Sequence, residues 1–516
     1  MRMGRLGLAW VCSLFMACGE PLPGEPLPEE LSPEEPASNE VSNEVSAQWF
    51  GSTPGRAYLV EDILPPVPPP PPRFPVSGPM PVQLVDLRGT LFFTIDFPDG
   101  ESALWRSDGT APGTFAVKEF PRTSSANFIS DLTVVGDRLF FFTSDEAHGT
   151  ELWTSDGTTR GTRLVKDLTP GPDSSVLAGL TAVGRTLFFV RSTEGRRELW
   201  RSDGTSKRTV RVWDMGPSYS QLFALDDHRL LFTLEDAEHG QELWVSDGTA
   251  KGTRLLKDIY PGPSSSYAGG LLRVEDGLVY FSAYEPLHGN ELWRTDGTPK
   301  GTVLAEDTVP GTGSASPVLL AVHEHRLYFL TREPADGGLR LRKVKVDDSC
   351  RHRSTALADL PSPIPGAGML VRSVSRNVAS IHGKLLFTIN YVIHQVLIDD
   401  QLWATDGTPG GTEMLYHPLT KNVMAPNEGL LRVNDRLALL SGWDAEHGQE
   451  LWVTDGSRQG TRLYQDIAPG PASSYPHELT RSDGFVFFVA NDQLAGYELW
   501  ALPLSRGRHP TSAIER

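Results

Sequence analysis

The sequence predicts an all-β protein: a single closed β-propeller of four-stranded antiparallel blades. Three observations predict it. One motif, Glu-Leu-Trp followed by Asp-Gly-Thr, returns along most of the chain. The stretches between its copies break into short apolar strands separated by Gly, Asp and Pro turns. No stretch sustains helical periodicity.

The tryptophans of the motif are Trp105, Trp153, Trp200, Trp244, Trp293, Trp403, Trp452 and Trp500. They fall 44 to 49 residues apart, except for 110 between Trp293 and Trp403. That gap fits a degenerate copy, Gly338-Leu339-Arg340-Leu341, in which Arg replaces the aromatic, plus an insertion within residues 332–401. The chain then holds about nine repeats, and hence eight or nine blades.

One unit shows the pattern. Leu132 to Val135 is a first strand, and Gly136-Asp137 a two-residue turn. Arg138 to Thr143 is a second strand, rich in aromatics. Asp145 to Gly149 turns the chain into a third, Glu151 to Thr154. Asp156 to Gly161 turns it again into a fourth, Thr162 to Leu168, before Pro170-Gly171-Pro172 breaks the chain. A blade of this kind cannot cover its own faces. Stacking blades in a ring buries both faces and leaves few edges. The Trp and the paired Phe residues would fill the space between neighbours.

The two ends support closure. Tyr58 to Ile63 matches a fourth strand but precedes any first, second or third. The C-terminal unit has a second strand at Phe485 to Ala490 and a third at Glu498 to Ala501, with no fourth. The N-terminal strand is therefore expected to complete the last blade. Between it and the first blade lies the Pro68 to Pro72 run, stiff and extended by nature, read as a spacer.

Ahead of the ring, residues 1–17 read as a signal peptide. Arg2 and Arg5 precede an apolar run too short to span a bilayer. Leu14 to Cys18 resembles a bacterial lipobox, which implies lipidation of Cys18; the alternative is an ordinary signal peptide with an incidental cysteine. Residues 18–48, rich in Pro and Glu, read as a disordered tether, 49–503 as the propeller, and 504–516 as a disordered tail. With Cys18 acylated, Cys350 has no partner, so stability must come from packing. The formal net charge of −18 argues against nucleic acid and against non-specific attraction to anionic headgroups.

The units resemble the ELWxxDGT repeat family of bacterial exported proteins and lipoproteins, with Asp156-Gly157-Thr158, Asp247-Gly248-Thr249 and Asp296-Gly297-Thr298 matching fully and Asp455 in a diverged copy. The resemblance covers about 55 to 502 and implies export to the cell envelope and a repeat fold. It carries over no catalytic role.

Repetition also bears on chemistry. A residue needed once for catalysis is not copied into every blade. The Asp of Asp-Gly-Thr is read as a turn cap rather than a calcium ligand, because each loop offers one carboxylate. His148, His239, His288 and His447 are read as turn histidines, and Glu151, Glu198, Glu242, Glu291, Glu450 and Glu498 as structural too. No catalytic residue, cofactor or metal set is expected. The candidate binding patch lies where the repeat fails: Arg340, Arg342, Lys343, Lys345, Arg351 and Arg353, beside Asp348, Cys350 and His352.

The functional expectation is a lipid-anchored, monomeric, non-catalytic binding or assembly scaffold at the cell surface. It would touch the membrane only through its anchor and take a protein or polysaccharide partner. The alternative is an exported glycan-active lyase or hydrolase built on a propeller, which would need convergent carboxylates or a Tyr/His/Arg cluster.

Overall fold

The computed structural model describes residues 55–63, 79–123, 128–217, 221–274, 277–332, 338–346, 353–360, 370–373, 378–393, 396–418 and 430–504. Among these there is no α-helix, and short 3₁₀ turns occur at Ala111–Gly113 and Ser206–Arg208. The strands form nine antiparallel sheets arranged as a β-propeller. The blade count is nine. The signal peptide, Cys18, the tether, the Pro68 to Pro72 run, Asp348, Cys350, Arg351, His352 and residues 505–516 of the tail lie outside the described residues, while Leu504 packs on the interface between the last two blades.

The second blade represents the others. Its strands are Ser130–Val135, Arg138–Asp145, Gly149–Ser155 and Arg163–Lys166. Each sheet runs antiparallel, so successive connections fall on alternate faces of the ring. One face, here the interblade face, carries the second-to-third hairpins and the loops that lead to the next blade. The other, the DGT face, carries the first-to-second turns and the Asp-Gly-Thr loops.

Nine core clusters occupy the nine blade interfaces. Between the first two blades, Phe92, Leu104 and Phe120 meet Leu139, Phe141 and Trp153. Trp153 is 6% exposed and stands edge-on to Phe120 at 5.1 Å. Each of the eight motif tryptophans packs against the preceding blade in this way. A lysine of that blade's fourth strand lies over three of the rings: Lys118 over Trp153, Lys166 over Trp200 and Lys257 over Trp293. Two of these lysines also donate across the interface, Lys166 to the Thr209 carbonyl at 2.9 Å and Lys257 to that of Thr302 at 2.7 Å. The tryptophan is thus both filler and lid, buried by its neighbour and capped by a cation.

Closure follows the expected interlock over a shorter ladder. Tyr58 pairs with Ala501 and Leu59 with Trp500, completing the sheet of His477–Ser482, Phe485–Asn491 and Tyr497–Pro503. The flanking residues extend it, with Gly55 N–H donating to Pro503 and Val60 N–H to Leu499. Gln465 of the eighth blade clamps the strand from the side: its amide accepts from Ala57 N–H at 2.9 Å and donates to the Ala57 carbonyl at 3.0 Å. Val60 then joins Leu84, Phe93 and Leu499 in the core between the last blade and the first.

The degenerate blade needs a correction. Residues 338–341 do not align Arg340 with the tryptophans. Phe329 pairs with Arg342, as Phe141 pairs with Trp153, so Arg342 holds the aromatic's place. Arg340 stands opposite Thr331, in the register of the motif glutamate. Within the described part of the insertion, Lys384–Ile393 and Val396–Thr405 form an extended hairpin, flanked by two short strands, Leu370–Ser373 and Val378–Ile381.

Candidate functional site

The repeated polar residues are engaged in holding the ring together. Glu151, Glu242, Glu291, Glu450 and Glu498 are 0% exposed. Each reaches from the third strand into the segment that follows the fourth. Glu151 accepts from Thr169 N–H at 3.0 Å and Ser175 hydroxyl at 2.7 Å. Glu450 accepts from the N–H groups of Ile467, Ala468 and Ser474 and from the Ser474 hydroxyl. Glu498 accepts from Ile63 N–H, so the closing strand reproduces the arrangement from the far end of the chain. Burial pushes the carboxyl groups of Glu151, Glu242 and Glu291 above the usual range, and that of Glu450 up to about 7.

The histidines cap their own hairpins. His148, His239 and His447 bring Nδ1 to within 2.9–3.0 Å of Asp145, Asp236 and Asp444, and His288 meets Glu285. The partner carboxylate raises the pKa of each imidazole. The Asp-Gly-Thr loops are Asx turns. Asp156 accepts from Thr158 N–H at 3.0 Å and Thr158 hydroxyl at 2.7 Å, and Asp247 and Asp296 repeat the pattern on Thr249 and Thr298. Asp455 repeats it on Ser457. Among the described residues, no group of three or more His, Cys, Asp or Glu gathers to hold a metal ion.

The basic residues of the degenerate blade face different partners. Arg340 pairs with Asp359, Arg342 donates to Thr331 and Ser354, and Lys343 donates to the Gly407 carbonyl of the next blade. Lys345 and Arg353 are exposed.

A departure from repetition that makes a cavity lies elsewhere, among the first strands, which meet one another around the ring and so line its central channel. Most first strands slip register near their start, and Gln83, Asp131 and Glu478 take left-handed φ of 57°, 59° and 57° at the slip. Their side chains pass hydrogen bonds around the ring. Glu478 accepts from Leu84 N–H at 3.0 Å. Gln83 accepts from Leu132 N–H at 2.8 Å and donates to the Ile129 carbonyl at 2.7 Å. Asp131 accepts from Gly179 N–H at 3.2 Å. At Gly179 there is no side chain to continue the relay, and there a cavity of about 350 Å³ opens. Gln83, Asp131, Leu132, Thr133, Gly179 and Gln221 line it. Phe128, 58% exposed, stands three residues before Asp131. Sequence reasoning passed over these residues. The signal was available: at one repeated position the first three blades carry Gln, Asp and Gly, and the last carries Glu.

No family model matches the chain, and no curated protein matches it. Solved structures do. One, from a study of two prolyl endopeptidases, is 13% identical over 80% of this chain and 53% of its own, with a TM-score of 0.39. Prolyl oligopeptidase B from Galerina marginata is 12% identical over 71% of this chain and 55% of its own, with a TM-score of 0.41. An oligogalacturonate lyase in complex with manganese is 13% identical over 62% of this chain and 86% of its own, with a TM-score of 0.34. The chain spans about half the length of the two peptidase structures. At such identities and TM-scores these likenesses carry no functional argument.

Proposed function

We propose that this chain is an exported, lipid-anchored propeller of the ELWxxDGT type that acts as a non-catalytic binding scaffold, with a hydroxyl-rich ligand such as a short glycan held at the channel wall. The observation that carries the reading is the cavity at the end of the bulge relay. Its polar lining is Gln83, Asp131, Thr133 and Gln221, set against Leu132 and Leu180. Amides, a carboxylate and a hydroxyl converging beside apolar walls suit a neutral, polyhydroxylated ligand. The repeated acids and histidines contribute nothing to it, because they cap loops.

The test is a glycan array followed by calorimetry on the full chain and on Gln221→Ala, whose side chain is exposed and makes no ladder contact. Binding that weakens several-fold in the variant, without a change in melting temperature, supports the reading. A variant that binds as well as the parent, or the absence of any bound glycan, overturns it. Release of a cleaved product in the same assay would favour the enzyme reading instead.

A further inference from the structure

Charge is spread unevenly over the two faces of the ring. The hairpins of the interblade face carry acids, among them Asp145, Glu146, Asp236, Glu238, Asp444 and Glu446. On the DGT face, the loops of four consecutive blades present Arg160, Lys207, Lys251 and Lys300, all exposed.

In the third blade one of these cations, Lys207, joins two arginines around a cavity. It has a volume of about 360 Å³ and is lined by Thr186, Arg201, Ser202, Asp203, Lys207, Arg208 and Val210. The local structure explains how they meet. Arg201 projects from near the end of the third strand, Arg196–Ser202. The Asp-Gly-Thr loop that follows departs from the motif: Lys207-Arg208 stands where most copies have a single residue and a glycine, and the segment winds into the 3₁₀ turn Ser206–Arg208. In the other copies with that glycine, a Cβ would collide with the loop aspartate; at Gly161 it would lie 1.9 Å from Asp156 Oδ1. Arg208 takes the glycine's place, and its guanidinium reaches round to Asp203 Oδ2 at 3.3 Å. The other oxygen of Asp203 accepts from Thr205 N–H and hydroxyl at 2.9 and 2.7 Å. Three cations therefore meet two carboxylates: Asp203, already engaged, and Asp247 of the next blade, whose carboxyl Thr249 and Arg201 help to hold below its usual range. Val210, 36% exposed, supplies an apolar edge.

We propose that this cavity binds a phosphate ester. Two guanidinium groups match the geometry of phosphate oxygens, and a lysine adds a point charge. On so acidic a chain, long-range attraction of anions is weak. Recognition must then be short-range and confined to the place where cations converge. The phosphate can belong to a soluble sugar phosphate or to a lipid headgroup, and the two sources are separable. The proposal does not depend on the channel site, which is built from different strands.

The experiment uses the full chain at physiological salt. Calorimetry with glucose 6-phosphate tests the soluble source, and co-sedimentation with phosphatidylcholine vesicles, with and without phosphatidylglycerol, tests the lipid one. The double variant Lys207→Ala/Arg208→Ala is compared with Lys300→Ala, a cation on the same face outside the cavity, and thermal melts check that both remain folded. The expected result is binding of one probe, weakened about tenfold or more by the double variant and little changed by Lys300→Ala. Absence of binding to both probes overturns the proposal. Equal losses in the two variants also overturn it, since they would mean a diffuse field rather than a site.

Discussion

Ser474 donates its hydroxyl to Glu450 across 2.6 Å, in an environment where both side chains are fully buried. The same carboxylate takes the N–H groups of Ile467, Ala468 and Ser474. The loop between the eighth and ninth blades is thus wrapped around one side chain. Glu450→Ala leaves three buried N–H groups without that acceptor. The expected cost is about 3–5 kcal/mol, read from chemical denaturation. A change under 1 kcal/mol would mean that water substitutes freely for the carboxylate.

Stability should fall as pH rises from acid toward neutral. Burial lifts Glu450 from 4.5 to about 7, and lifts Glu151, Glu242 and Glu291 in the same direction. A carboxyl group raised in the folded state favours its protonated form there. Its contribution is complete below the unfolded pKa and is lost as pH climbs through the folded value, here between about 4.5 and about 7 for Glu450. His148, His239, His288 and His447, raised by their carboxylate partners, act in the same sense from 6.5 upward. Asp156, Asp236, Asp247 and Asp444 are lowered and oppose this only below 3.8. Melting temperatures between pH 5 and pH 8 check the trend; a flat or rising profile would contradict it.

Gly149 sits at φ 61°, and a Cβ there would lie 2.7 Å from the backbone of Pro172, Asp173 and Ser174. Both the dihedral and the space exclude a side chain. Gly149→Ala should cost about 2 kcal/mol or more. Gly171, also left-handed but with nothing within 4 Å, serves as the control for the dihedral alone, and Gly171→Ala should cost about half as much. Paired denaturation curves separate the two effects.

Removing residues 55–63 should open the seam between the last blade and the first. It strips the fourth strand from Trp500 and Ala501 and takes Val60 out of the core shared with Phe93 and Leu499. Burial of Val60 alone is worth about 1.5–3 kcal/mol, and the lost ladder adds to it. A marked fall in melting temperature with new dye-accessible apolar surface is the expected outcome. An unchanged melt would show that the ring holds without its clasp.

The blades were legible because their signals are local: a tryptophan opposite a phenylalanine, a Gly turn, an Asp cap. The register of the degenerate blade was not. Leu339-Arg340-Leu341-Arg342 alternates with period two, and a slip of two residues leaves such a pattern unchanged. Only pairing with Phe329 distinguishes Arg342 from Arg340. The channel cavity was hidden for another reason. Gln83, Asp131 and Glu478 act through left-handed bulges, which arise from how two strands are paired, not from composition. The motif glutamate was recognised as structural, but its partners lie 17 to 24 residues downstream in loops whose fold no periodicity announces.

The clasp also sets an order of events. Ala57 bonds Gln465 at a sequence separation of 408, and Ile63 bonds Glu498 at one of 435. Contacts so distant in sequence are slow to form, because the chain between them must first be organised. Eight blades can assemble one after another, each on the face of the last. The first strand in sequence must wait, unpaired, until the final strands are in place, and during that interval the incomplete ring has two open edges able to pair with other chains. Ring closure is therefore the last step of maturation, and the stage at which this protein is most exposed to misassembly.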